Sequence, residues 1–169
     1  MIIKDHQIQL ILSSREDERL KGLFSNYEDL SNLSELQLHQ GKMAQSRIFR
    51  IEWDGNVIGE IGLKSIRWYN RKGEIHLALK KEFRGKGLGQ AALGLIIDFA
   101  FNTLNFHRLE AEVTAYNKTS QFLFEKMGFR REGVLREAKY YQGKYHHILR
   151  YGLLRPEYAL LQNHHLTEK

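Results

Sequence analysis

Arg84-Gly85-Lys86-Gly87-Leu88-Gly89 constrains this chain more than any other stretch. It joins an apolar run, Ile75 to Leu79, to a helical pattern that begins at about Leu88 and reaches Phe101. Three alternating glycines at such a junction let the backbone turn tightly and bring its N–H groups close to a ligand. The helix that follows adds unsatisfied donors and the positive end of its dipole, and Arg84 and Lys86 add full charges. The combination suits a phosphate. A P-loop is excluded, because Gly89 is followed by Gln90 and Ala91 rather than by lysine and a hydroxyl residue. The dinucleotide fingerprint G-x-G-x-x-G is excluded too, because Gln90 stands where the third glycine belongs. What remains is R-x-x-G-x-G at Arg84, Gly87 and Gly89. Taken alone, this stretch also fits a glycine-rich turn ahead of a surface helix.

A length of 169 residues, 42% of them hydrophobic and only one proline, fits one compact domain with a full core. No apolar run approaches a membrane span, and Met1-Ile2-Ile3-Lys4-Asp5 lacks the organisation of a signal peptide. The absence of cysteine excludes a disulfide framework, a thiolate metal site and a cysteine acyl-enzyme. The chain reads as cytoplasmic and free of the membrane. Its net charge of +6 raises nucleic acid as a partner, but the distribution disfavours it. From Arg15 to Glu35 six acids (Glu16, Asp17, Glu18, Glu28, Asp29, Glu35) face three bases, and the positive excess gathers around the glycine loop and residues 126–150. A basic donor end and an acidic N-terminal segment suit a protein that joins an anionic donor to a cationic acceptor. Solvated helix faces are the plainer explanation for most of these charges.

Along the chain, Gln7 to Leu12 reads as a first strand and residues 16–39 as two short helices. Ser46 to Trp53 and Val57 to Trp68 read as a hairpin across Asp54-Gly55. Asn70 to Gly73 is the next turn, ahead of a strand Glu74 to Leu79. The helix from about 87 to 104 puts Leu88, Ala92, Leu95, Ile96 and Phe99 on one face. Arg108 to Ala115 is a strand. Lys118 to Met127 is a helix capped by Asn117 and stopped at Gly128. Phe129 to Tyr141 and Tyr145 to Leu154 form a long hairpin across Gln142-Gly143. No repeat or linker divides the chain, so the expectation is a single α/β domain with a mixed, mostly antiparallel sheet of about seven strands.

A second motif follows the Arg108 strand. Asn117-Lys118-Thr119-Ser120, Leu123-Phe124-Glu125-Lys126-Met127-Gly128-Phe129 and Arg131-Glu132-Gly133-Val134-Leu135-Arg136 stand in order. With R-x-x-G-x-G upstream, this run resembles the GCN5-related N-acetyltransferase (GNAT) superfamily. The branch it resembles contains the ribosomal-protein N-terminal acetyltransferases and the spermidine acetyltransferases. Gly143-Lys144-Tyr145 and Tyr151-Gly152-Leu153-Leu154 extend the similarity, which covers residues 46–155 and, in order of elements only, the first 45.

The resemblance implies a fold in which the strands before the glycine loop and before Asn117 splay apart to admit the pantetheine arm of acetyl-CoA. Residues 1–45 would then supply a first strand and acceptor-side helices, 46–155 the acetyl-CoA-binding core, and 156–169 a C-terminal tail. Leu77, Ala78 and Leu79 would pair with the arm. Backbone amides of Gly85, Lys86, Gly87, Leu88, Gly89 and Gln90, with Arg84, would hold the pyrophosphate. Asn117 and Ser120 would flank the arm near the thiol, with Phe124 beside the thioester. Asn117 could equally be a helix cap, and Phe124 ordinary core.

An acceptor amine is mostly protonated at neutral pH and must lose a proton before it attacks the thioester. By family position the oxyanion donor is the backbone N–H of Leu79. Glu112, five residues before Asn117, is the first choice of base, with Glu74 and His76 after it. A surface ion pair is the alternative for Glu112, and a hydrogen-bonded core residue for His76. The chain departs from the family where Phe124 replaces a tyrosine whose hydroxyl protonates the departing thiolate. Ser120 is a substitute, as are Tyr140, Tyr141 or Tyr145 from the final hairpin. Lys139 and His147 stand where relatives carry a glutamate and an aspartate, which weakens any transfer of substrate. The acceptor stays open among a polyamine, a protein N-terminus and an amino sugar. Trp53, Trp68 and Tyr69 are candidate lining for its pocket or simple core edges. A non-catalytic acetyl-CoA-binding regulatory module is the competing reading, and a homodimer through the final hairpin is an open expectation.

Overall fold

Asp54-Gly55 and Gln142-Gly143 both take positive φ, at 48° and 73° and at 49° and 75°. Two consecutive residues in this region form the turn whose twist matches a β-hairpin, so each dipeptide closes one. The computed structural model describes residues 1–13, 17–20 and 46–167. Its strands are β1 (Ile2–Lys4), β2 (Gln9–Leu12), β3 (Arg47–Trp53), β4 (Asn56–Arg67), β5 (Lys72–Leu79), β6 (Arg108–Thr114), β7 (Arg130–Tyr141) and β8 (Lys144–Leu154). They form one eight-stranded sheet in the order β1-β2-β3-β4-β5-β6-β8-β7. Every pairing is antiparallel except that of β5 with β6. The eighth strand, β1, is three residues long, too short to leave an alternating pattern in the sequence.

Among the described residues three α-helices accompany the sheet: α1 (Leu88–Asp98), α2 (Lys118–Lys126) and α3 (Arg155–Thr167). The helix expected to run to about residue 104 changes pitch on the way. Phe99–Thr103 is a π-helical turn, with Leu104 N bonded to Phe99 O at 3.0 Å. Phe99, Ala100 and Phe101 are all buried, and the wider turn brings three successive side chains inward where a regular helix would expose one. The two helices expected over residues 16–39 lie almost wholly outside the described residues. The residues expected as a C-terminal tail form α3. Pro156 sits in its first turn, where no intrahelical N–H is needed, and Leu154 N donates to Glu157 Oε2 at 2.9 Å.

α1 and α2 cover one face of the sheet. A Cβ built on Gly89 would lie 3.3 Å from Leu79, 3.7 Å from Leu77 and 3.7 Å from Leu123 of α2. The core on this face includes Ile61, Leu63, Ile75, Leu93, Ile96, Leu109 and Tyr151, all essentially buried. Side chains alternate faces along a strand, so the even-numbered residues of β5 and β6 belong to the opposite face. That face carries charge.

Candidate active site

β5 and β6 pair only from Lys72↔Arg108 to Ile75↔Ala111. β5 nevertheless continues to Leu79 beside β4, and β6 to Thr114 beside β8. The sheet therefore parts beyond Ile75 and Ala111. Lys80 N donates to Ile58 O of β4 at 2.9 Å. Successive residues of an antiparallel strand alternate the side to which their amides point, so Leu77 and Leu79 aim theirs away from β4 and into the gap. Arg84 Nε donates to Leu79 O at 2.8 Å, which ties the loop to the end of β5.

α1 begins beside this gap. Its N-cap, Gly87, has φ 79°, and no side chain caps the helix. Gly85 has φ 75°. A Cβ at either glycine would meet nothing within 4 Å, so their backbone conformation calls for glycine while the space before them stays open. Lys86 Nζ lies 5.6 Å from the centre of the Phe83 ring. A groove of about 460 Å³ runs from Gly87 and Gln90 along α1 to Gly94, Leu95 and Met127. Uncapped amides, two cations and open approach fit a diphosphate.

Across the gap, Asn117 Oδ1 accepts from Ser120 N at 3.1 Å and caps α2, as its sequence position suggests. Ser120 is half-buried. Phe124 is core: its ring meets Phe129 edge-on at 5.1 Å and stacks on Tyr151 at 6.3 Å. Of the tyrosines in the final hairpin, Tyr141 stacks on Tyr116 at 5.4 Å, next to Asn117. Tyr140 and Tyr145 pack on each other and are exposed. Lys139 is buried, and His147 Nδ1 accepts from Glu137 N at 2.9 Å. Trp53 packs on Phe83 and Trp68 on Phe106, at opposite ends of β4, while Tyr69 is fully exposed. These three aromatics do not line one pocket. Asp17 is held by Arg50 at 2.6 Å. Burial pushes its pKa up, but the Arg50 contact, with Arg19 N and Ser13, outweighs that and holds it below the usual carboxylate range. Glu16, Glu28, Asp29 and Glu35 lie outside the described residues.

The charged face is ordered from the paired end of the strands toward the gap. Lys72 Nζ lies 3.0 Å from Glu110, and Arg108 bridges Glu110 and Glu132. Glu112 and His76 are the first residues past the last β5–β6 pair. Glu112 is paired with Arg150 at 3.1 Å. His76 Nε2 lies 3.2 Å from Glu60 Oε1. A Cβ on Gly62 would fall 2.7 Å from His76 Cε1, so a glycine opposite makes room for the ring. Lys64 and Glu74 face each other across β4 and β5. Burial pushes Glu74 up and His76 down, so the imidazole is neutral at pH 7. Burial also pushes Glu60 up, but the contact with His76 and the Lys64 charge outweigh it and hold Glu60 low. A neutral His76 still donates Nε2–H to this carboxylate, which leaves Nδ1 as a bare acceptor.

Sequence reasoning singled out Glu74, His76 and Glu112 and missed Glu60 and Lys64. The available signal was their even spacing with Gly62 in an otherwise apolar strand. Ranking them needed the cross-strand register.

Residues 7–130 match the family model described as acetyltransferase (GNAT) domain. YdaF of Bacillus subtilis (strain 168), whose name assigns it provisionally to the ribosomal N-acetyltransferases, is 36% identical over 106 residues. That match spans 63% of this chain and 58% of YdaF, less than two thirds of its length. The spermidine N(1)-acetyltransferase of Escherichia coli (strain K12) is 28% identical over 135 residues, 80% of this chain and 71% of that protein. The crystal structure of spermidine N-acetyltransferase from Vibrio cholerae in complex with CoA and spermine superposes with a TM-score of 0.81 at 27% identity. It covers 92% of this chain and 99% of that one. With a parted parallel strand pair, an uncapped helix behind a glycine loop and a family model matched over most of its length, the chain belongs to the GNAT acetyltransferase family.

Proposed function

We propose that this protein transfers the acetyl group of acetyl-CoA to a primary amine by direct attack within a ternary complex. The observation that carries the reading is the parting of β5 from β6 beyond Ile75 and Ala111, with the Leu77 and Leu79 amides aimed into the gap. Acetyl-CoA supplies an activated acetyl thioester when bound. Gly85 to Gln90 offer their amides, and Arg84 and Lys86 their charges, to its diphosphate. Leu77, Ala78 and Leu79 receive the pantetheine arm as an added strand, with Asn117 and Ser120 on the far wall and Phe124 behind them. Leu79 N–H stabilises the negative charge that develops on the carbonyl oxygen.

α1 and α2 close one face of the sheet, so the amine approaches from the charged face. Glu112 stands there at the root of the gap and takes the amine proton, while Arg150 holds its carboxylate in place. Ser120 relays a proton from water to the departing thiolate and ends as the hydroxyl again, a task Phe124 cannot perform. The cysteine-free chain suits the cytoplasm. The relatives' names make spermidine and ribosomal components the first acceptors to try. Release of free thiol from acetyl-CoA in the presence of a panel of primary amines tests the proposal. Amine-dependent release with a matching N-acetylated product supports it. Tight acetyl-CoA binding without turnover across the panel replaces it with a non-catalytic binding module.

A further inference from the structure

Among the described residues, four side-chain atoms are buried without a hydrogen-bond partner: Lys64 Nζ, Glu74 Oε1, His76 Nδ1 and Thr114 Oγ1. All four residues are more than nine-tenths buried. They come from the three neighbouring strands β4, β5 and β6, and all lie on the charged face. Leaving one such group unsatisfied costs about 1–3 kcal/mol, so native proteins rarely keep several together without a use for them. Thr114 lies on the β6 side of the gap and the other three on the β4–β5 side. Of the four, His76 and Thr114 lie beyond the last β5–β6 pair. Glu74 and Lys64 share the row just behind it, at the root of the gap that an amine enters from this face.

The four atoms differ in what they ask of a ligand. Glu74 and His76 Nδ1 accept, Thr114 accepts or donates, and Lys64 only donates. A polyamine carries donors and positive charge and nothing else. It can satisfy Glu74 and His76, but it offers Lys64 no acceptor and sets a second cation beside a buried ammonium. An oxygen a few bonds from the amine removes both difficulties.

We propose that the acceptor is a primary amine bearing a hydroxyl, carbonyl or carboxylate oxygen close to its nitrogen, and that Lys64 recognises that oxygen. This rests on the acetyltransferase reading above and narrows its acceptor. Lys64 is then a specificity determinant that separates this chain from a spermidine acetyltransferase.

Steady-state acetylation of glucosamine, serinamide, a Ser-Ala dipeptide and spermidine tests the proposal and distinguishes sugar, amino-acid and peptide sources. At least one oxygen-bearing amine should exceed spermidine in kcat/KM by about tenfold. Lys64→Met should lower that ratio by at least about tenfold, chiefly through KM of the oxygen-bearing amine, and Lys64→Arg should restore part of it. Thr114→Val, which keeps shape and removes one hydroxyl, provides a second variant should Lys64→Met not fold. It should raise the same KM. A wild-type preference for spermidine, an unchanged ratio in both variants, or no turnover of any oxygen-bearing amine while acetyl-CoA still binds would overturn the proposal. Loss of acetyl-CoA binding itself, read by calorimetry on the wild type, would instead sink the acetyltransferase reading beneath it.

Discussion

Lys64 and Glu112 show how a single residue's surroundings set its chemistry. Burial pushes the Lys64 amine down from 10.5 to about 8, although Glu74, Glu60 and Glu112 pull it up. Between about pH 8 and 10.5 the unfolded chain keeps a proton that the folded chain has released, so stability rises with pH across that window. Measured against Lys64→Met, the wild type should gain melting temperature from pH 8 toward pH 10.5. A difference that stays flat with pH would mean that Lys64 titrates as an ordinary amine. Glu112→Gln keeps the shape and removes the carboxylate proposed as the base. It should lower kcat by about 100-fold, in the range usual for general-base catalysis, with acetyl-CoA affinity nearly unchanged. A pH–rate profile identical to the wild type would remove Glu112 from that role. Glu112 and His76 were legible as candidates from their place in the strands, and Lys64 was not. Their partners, Arg150 for Glu112 and Glu60 for His76, were not, because each lies on another strand.

Among the elements, the Arg84–Gly89 loop with α1 was the most legible. Its requirements are local: residues that accept positive φ, a helix start without a cap, and cations beside it. Gly87→Glu separates conformation from charge. A side chain at φ 79° costs about 1–2 kcal/mol, and the space around Gly87 leaves no clash to add. The variant should therefore fold with a modest loss of melting temperature. Its acetyl-CoA affinity should fall by more than about 100-fold, because a carboxylate would face the diphosphate in a site built on charge. Calorimetry and a thermal melt on one preparation decide it; unchanged affinity would refute the diphosphate site. Other elements were harder to read. The π turn at Phe99–Thr103 answers the burial of three adjacent side chains, which a helical pattern does not announce. α3 gains from contacts far along the chain, with Tyr158 stacked on Phe101 at 5.0 Å and bonded to Asp98 at 3.0 Å.

At the scale of the whole molecule, the sheet is two antiparallel halves joined by four residue pairs between β5 and β6. The amides of Leu77 and Leu79 have no strand to pair with beyond that join. They should exchange with deuterium much faster than those of Gly73 and Ile75 in the free protein, and slow markedly when acetyl-CoA is added. Equal protection of all four without ligand would mean that the gap is closed in solution. The sequence by itself determined the fold family, the glycine loop ahead of α1 and both hairpin turns, because each is written in neighbouring residues whose backbone geometry or spacing admits few alternatives. Only the tertiary structure decided which polar side chains share a face with the gap, which are already neutralised by a partner and which remain unsatisfied. Those properties depend on register between strands up to dozens of residues apart and on burial from water, and neither is encoded in local spacing.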